Sequence, residues 1–207
     1  MTKRILDKVN KYYTEKISEF GATSKGVDWN GQESHYLRFN QLAKVIRTNS
    51  NFSILDYGCG YGSFIDFLNK NDFSQFEYIG FDISNDMLSN AKEQFKSEHL
   101  KFVNDIDSIA KIDYTIASGL FNVKLDESES KWESYILKSL DIINDKSVKG
   151  FSFNVLTSYS DTEYKKDYLY YANPMILFDY CKKNYAKNIV LLHDYNLYEF
   201  TIIVRKE

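Results

Sequence analysis

The chain has 207 residues, 43% of them apolar and 27% charged, a balance suited to one α/β domain with a sizeable core. Its 26 basic residues are spread among 29 acidic ones for a net charge of −3, without the basic stripe that nucleic-acid binding needs. No apolar run approaches the ~20 residues of a membrane span, the N-terminus lacks a signal-peptide core, and Cys59 and Cys181 are too few for a disulfide framework. The expected setting is therefore cytoplasmic, with no nucleic acid and no membrane as partner.

Two helical patterns come first. Ile5, Val9, Tyr13, Ile17 and Phe20 share one helical face, and after a loop over 21–29 a second helix carries Phe39, Leu42, Ala43 and Ile46. Strands and helices then alternate: strand 52–57, helix 63–69, strand 77–81, helix 85–95 and strands 100–103 and 114–117. Trp132, Tyr135, Ile136, Leu140 and Ile143 mark a long amphipathic helix. Strand 150–156, a helix over 174–183 opened by Pro174, and strands 189–192 and 198–204 complete the chain. Such alternation predicts βαβ units and a mostly parallel sheet with helices on both faces. Five residues, 193–197, separate the last two strands, too few for a parallel crossover, so the final strand is expected to run antiparallel. Residues 1–50 read as N-terminal helices covering a site, and 51–207 as the core of one domain.

The first strand ends in Asp56-Tyr57-Gly58-Cys59-Gly60-Tyr61-Gly62-Ser63, directly before a helix. Glycines let a backbone turn tightly beside a ligand, and a helix N-terminus offers unpaired N–H groups. The spacing of Gly58, Gly60 and Ser63 nearly fits a dinucleotide loop, but Asp56 would then face a pyrophosphate and instead suits a cationic amino group.

Asp56-x-Gly58-x-Gly60-x-Gly62 resembles the first motif of class I S-adenosylmethionine-dependent methyltransferases, and the likeness extends over nearly the whole chain. The resemblance implies a Rossmann-like, doubly wound, seven-stranded α/β sheet, mostly parallel with an antiparallel C-terminal strand. It also implies S-adenosyl-L-methionine as cofactor. Gly58, Gly60 and Gly62 would cradle its methionine part and Asp56 would meet its amino group. Asp82, at the end of the second strand, inherits the ribose hydroxyls, with Ile83 and Met87 as apolar contacts. Asp105 and Ile106 match the adenine-binding positions after the third strand, and Ser118 after the fourth lies close to the cofactor. Arg38 is a candidate partner for the methionine carboxylate.

The amino-methylating DNA enzymes carry an Asn-Pro-Pro or Asp-Pro-Pro stretch after the fourth strand, and this chain has Ser118-Gly119-Leu120-Phe121-Asn122 there. A polar small molecule, a sugar or other metabolite methylated on oxygen or nitrogen, is the expected acceptor. Tyr13, Trp29, Phe121, Asn122, Asn154 and Tyr159 are its candidate contacts, supported by Tyr168, Tyr170 and Tyr171. No residue stands out as a catalytic base: His193 reads as structural, and His35 and His99 as surface. Nor do the scattered histidines and cysteines form a metal-ligand pattern. The alternatives are an NAD(P)-dependent oxidoreductase and a non-catalytic S-adenosylmethionine-binding partner protein. Monomer and homodimer remain equally open.

Overall fold

The apolar positions at helical spacing near the N-terminus become the inward face of helix α1 (Thr2–Phe20), where Ile5, Val9 and Ile17 are buried. The computed structural model describes residues 2–21, 23, 26, 31–48, 50–71, 73 and 75–206. Helix α2 (Gln32–Leu42) is shorter than the apolar pattern suggested. It tightens into a 3₁₀ turn over Ala43–Val45, and Ile46 is already extended.

Strands β1 (Phe52–Tyr57), β2 (Phe76–Phe81), β3 (Leu100–Val103), β4 (Ile112–Ala117) and β5 (Ser147–Leu156) run parallel. The seven-stranded order is β3-β2-β1-β4-β5-β7-β6, with β7 (Glu199–Arg205) antiparallel to both β5 and β6 (Asn188–Leu192). The short 193–197 connection thus makes the antiparallel hairpin expected of it.

Because successive strand side chains point to opposite faces, β1 supplies both cores. Ile54 packs with Phe64 and Phe67 of α3 (Ser63–Lys70) and with Leu42 of α2 on one face. Leu55 packs on the other with Trp132, Ile136 and Leu140 of α5 (Glu129–Lys146). The α4 helix (Asn85–Gln94) joins the first face, and α6 (Pro174–Asn184) the second, through Leu177 and Cys181. Strand β5 begins three residues earlier than the sequence pattern indicates, directly where α5 ends. The Ser147 hydroxyl stabilises this change of direction by donating to the Ile143 carbonyl at 2.7 Å. Among the described residues no helix is long and apolar enough to cross a membrane.

The registers Asp56↔Gly80, Tyr57↔Phe81 and Asp56↔Ile116 align the carboxyl ends of β1, β2 and β4. The loops that leave them converge on one edge, where an open α/β sheet binds ligands.

Candidate active site

Gly58, Gly60 and Gly62 all have left-handed backbone, with φ of 86°, 54° and 85°. A Cβ on Gly58 would also lie 3.0 Å from Leu120 Cδ1. The loop is tied to the end of β2: the Phe81 carbonyl accepts from the Gly58 and Cys59 amides at 2.8 and 3.0 Å. Asp82 completes the tie, accepting from the Gly60 amide at Oδ2 and the Ser84 amide at Oδ1, both at 2.9 Å. Burial pushes its carboxyl pKa up, against the pull of these amides. Each oxygen has a second lone pair, so the side chain can hold the loop and still accept hydrogen bonds from a ligand.

Asp56 is 3% exposed and accepts a 2.8 Å hydrogen bond from the Tyr78 hydroxyl. Burial pushes its pKa up to about 7; the Tyr78 bond opposes this and the nearby Asp82 charge adds to it.

These groups line a cavity of about 220 Å³. Asp56, Gly58, Gly60 and Asp82 form one wall, with Ile83, Met87 and Ile106 beside them as an apolar slot. Helix α1 closes the top with Leu6, Val9, Asn10 and Tyr13. Asn10 Oδ1 and Ser118 Oγ, on residues lining this cavity, are buried without a hydrogen-bond partner. Orphaned buried polar atoms are rare in folded proteins, and here they mark places where a ligand can bond. Gly62 lies just behind the wall as the N-cap of α3. Asp105 turns away: it is exposed and caps the 3₁₀ turn Ile106–Ser108 by accepting from the Asp107 amide at 3.0 Å.

His35 corrects the sequence reading. It was expected at the surface, yet it is 5% exposed and lines this cavity. Its ring packs on Phe39 with centroids 4.4 Å apart, and Nε2 lies 3.4 Å from Ser63 Oγ. Burial, with the Arg38 charge adding, lowers its pKa to about 3, so the imidazole is neutral at ordinary pH. His99 is exposed as expected, and the His193 ring packs against Tyr159 and Phe200.

A second cavity, of about 860 Å³, meets the first at Tyr13 and Gly119, which line both. Arg38 belongs to this second cavity and forms a buried ion pair with Glu199 of β7. Asn154 donates to Glu199 and accepts from the Gly119 amide at 2.8 Å, linking the ion pair to the junction of the cavities. Burial raises the Glu199 pKa, and Arg38 and Asn154 oppose it. Asn122 lines the cavity and Tyr164, Tyr168, Tyr171 and Tyr198 surround it. Phe121 is instead a core residue, fully buried, with its carbonyl accepting from Trp132 Nε1 at 2.8 Å. Asn154 is buried beneath the cavity, Tyr170 donates to Glu133, and Tyr159 is 68% exposed on neither wall. Trp29 lies outside the described residues.

Sequence reasoning missed the contributions of His35, Asn10 and Glu199, and of α5, whose Tyr135, Ser139 and Ile142 line the first cavity. The 135, 139, 142 spacing is one helical face, a signal that core packing explains equally well.

The family model described as a methyltransferase domain matches residues 48–159. The Mycobacterium tuberculosis (strain ATCC 25618 / H37Rv) protein Rv1506c, which carries a methyltransferase name, is 44% identical over 164 residues, 79% of this chain and 98% of its own length. Among solved structures, the DhpI–SAM–HEP complex superposes with a TM-score of 0.65 at 12% identity over 97% of both chains. The N-terminal domain of EvdMO1, in the presence of SAH and D-fucose, gives 0.62 at 11% identity, also over 97% of both. These two likenesses are of fold.

Proposed function

The chain belongs to the methyltransferase domain family, and on that premise we propose that it transfers the methyl group of S-adenosylmethionine to an oxygen or nitrogen atom of a polar small molecule. The residues of the first cavity fit this cofactor. Ile83, Met87 and Ile106 offer an apolar slot for adenine, and Asp82 keeps lone pairs for the ribose hydroxyls. Asp56 suits the amino group, and Ser118 Oγ and Asn10 Oδ1 are buried polar atoms still to be satisfied. When bound, the cofactor supplies an electrophilic methyl carbon on a sulfonium leaving group.

The protein's share of the chemistry is alignment and the exclusion of water. The meeting of the two cavities at Tyr13 and Gly119 carries the proposal, because a methyl group must pass from one bound molecule to another across such a junction. The acceptor side combines tyrosine rings, Asn122 and the Arg38–Glu199 pair, groups that suit a ring bearing hydroxyls or amines.

Calorimetric titration with S-adenosylhomocysteine and with NADH tests the cofactor. Incubation with radiolabelled S-adenosylmethionine and a panel of monosaccharides, phenols, amines and carboxylic acids tests the acceptor. We expect S-adenosylhomocysteine to bind and label to appear on a hydroxyl or amine. Tight NADH binding without S-adenosylhomocysteine binding overturns the reading.

A further inference from the structure

The first cavity raises a problem of charge. Asp56 and Asp82 both line it, yet the cofactor proposed for it carries a carboxylate at its amino-acid end. Two wall carboxylates suit an amino group and ribose hydroxyls but repel that anion. The cation expected for it, Arg38, lines the other cavity and is held there by Glu199. Lys138, the lone Lys or Arg among the described lining residues, projects from α5 and is exposed.

Among the described residues, one stretch of the wall has donors and no carboxylate. His35 of α2 and Ser63 at the start of α3 touch there, beside Gly60 and Phe39. The imidazole is buried and packs against Phe39 at a tilt of 39°, and Phe39 itself packs edge-on to Phe64 at 5.0 Å. A ring so placed loses little freedom when it binds.

We propose that His35 and Ser63 hold the carboxylate of S-adenosylmethionine, so that neutral donors recognise an anion that Arg38 was expected to pair with. This rests on the cofactor reading above. The 3.4 Å separation of Nε2 and Ser63 Oγ is a long hydrogen bond that can open to admit a carboxylate oxygen, the Ser63 hydroxyl rotating its hydrogen toward it beside the fixed Nε2–H. Ser63 also stands in the first turn of α3, where a helix favours negative charge. The His35 ring is uncharged over the ordinary pH range, so it serves as a directional N–H donor and not as a countercharge.

The test compares S-adenosylmethionine with its decarboxylated form, which differ at this one group, by calorimetry on the wild type, His35→Ala, Ser63→Ala and Arg38→Gln. His35→Ala should weaken S-adenosylmethionine roughly tenfold to a hundredfold, as expected for losing one bond to a charged group, and leave the decarboxylated form within about twofold. Ser63→Ala should show the same selectivity, and it carries the test if His35→Ala does not fold. Equal losses for both ligands would mean that these side chains only shape the cavity, and would overturn the proposal. A carboxylate-specific loss confined to Arg38→Gln would overturn it as well. Failure of the wild type to bind either ligand would sink the cofactor reading itself, a separate outcome.

Discussion

Tyr78 in the middle of β2 donates its hydroxyl to Asp56 near the end of the adjacent strand β1 at 2.8 Å, a buried polar contact directly behind the cavity wall that Asp56 lines. Burial raises the Asp56 pKa to about 7 from its ordinary 3.8. Between those values the folded chain keeps a proton that the unfolded chain has lost, so this group makes the ligand-free protein less stable as pH rises through that window. A cationic amino group favours the ionised carboxylate, so cofactor binding should expel the proton. Calorimetry with S-adenosylhomocysteine at about pH 6.5, in buffers of different ionisation enthalpy, should show release of a fraction of a proton. Asp56→Asn should abolish that release. Identical apparent enthalpies in all buffers would contradict the assignment of Asp56 to the amino group.

Asp82 has two tasks, and its removal should show both. Losing two charge-assisted bonds to the ribose, each worth roughly 1.5–3 kcal/mol and partly replaced by water, should weaken S-adenosylhomocysteine binding about tenfold to several thousandfold in Asp82→Ala. The same change strips the Gly60 and Ser84 amides of their acceptor, so the melting temperature should fall too, by the equivalent of about 1–3 kcal/mol. In the sequence alone Asp82 is a strand-end carboxylate, and nothing local shows the loop that hangs from it. Asp82→Asn should lie between. A lowered melting temperature with unchanged affinity would reduce Asp82 to a loop anchor.

What the sequence disclosed and what it hid divide along a physical line. Asp56, the glycine loop and Asp82 stand at strand ends, where local pattern decides both the element and the direction in which its last side chain points. The short 193–197 connection likewise permits one strand direction. His35 and Arg38 are three residues apart on α2, and nothing local says which cavity each will face. That depends on how α2 is rotated against the sheet, a tertiary quantity. Phe121 and Asn154 were legible as lying near the site but not as lying beneath its surface. Glu199 escaped notice because its role appears only when β7 is inserted between β5 and β6, bringing it to Asn154. The absence of a loop between α5 and β5 left no turn residue to read.

His35 should make the protein sensitive to acid. The unfolded chain protonates this side chain near its ordinary 6.5, whereas the folded chain resists until about 3. As pH falls below 6.5 the unfolded state binds a proton that the native state does not, and stability is lost progressively down to the folded value. At about pH 5 the loss from this one group should approach about 2 kcal/mol. Urea denaturation of the wild type and His35→Phe at about pH 7 and about pH 5 measures it. The wild type should lose more stability than the variant by about that amount, and parallel losses would show that His35 is not the group responsible.

Helix α1 forms the roof of the first cavity through Leu6, Val9, Asn10 and Tyr13, so whatever fastens α1 should govern how fast a ligand leaves. The principal clasp is Lys8, whose ammonium meets Asp126 Oδ1 and Glu127 Oε1, each at 2.6 Å, in the segment before α5. Arg4 adds a longer contact to Glu127 at 3.7 Å. Asp126 is largely exposed, so its share is screened by solvent and salt. Glu127 is different, with only 6% of its side chain accessible. Removing its main cation leaves a poorly solvated carboxylate, and an α1 that has swung away would let water reach it. Lys8→Met keeps the aliphatic length of the side chain while deleting the charge. It should speed S-adenosylhomocysteine dissociation several-fold in stopped-flow displacement, and raising the salt concentration should speed the wild type more than the variant. The interior of the cavity is untouched by this substitution, so the equilibrium affinity should change less than the rate. A dissociation rate equal to wild type at low salt would show that the roof is held by its apolar contacts, Ile5 and Val9, and that the ion pairs merely decorate its edge.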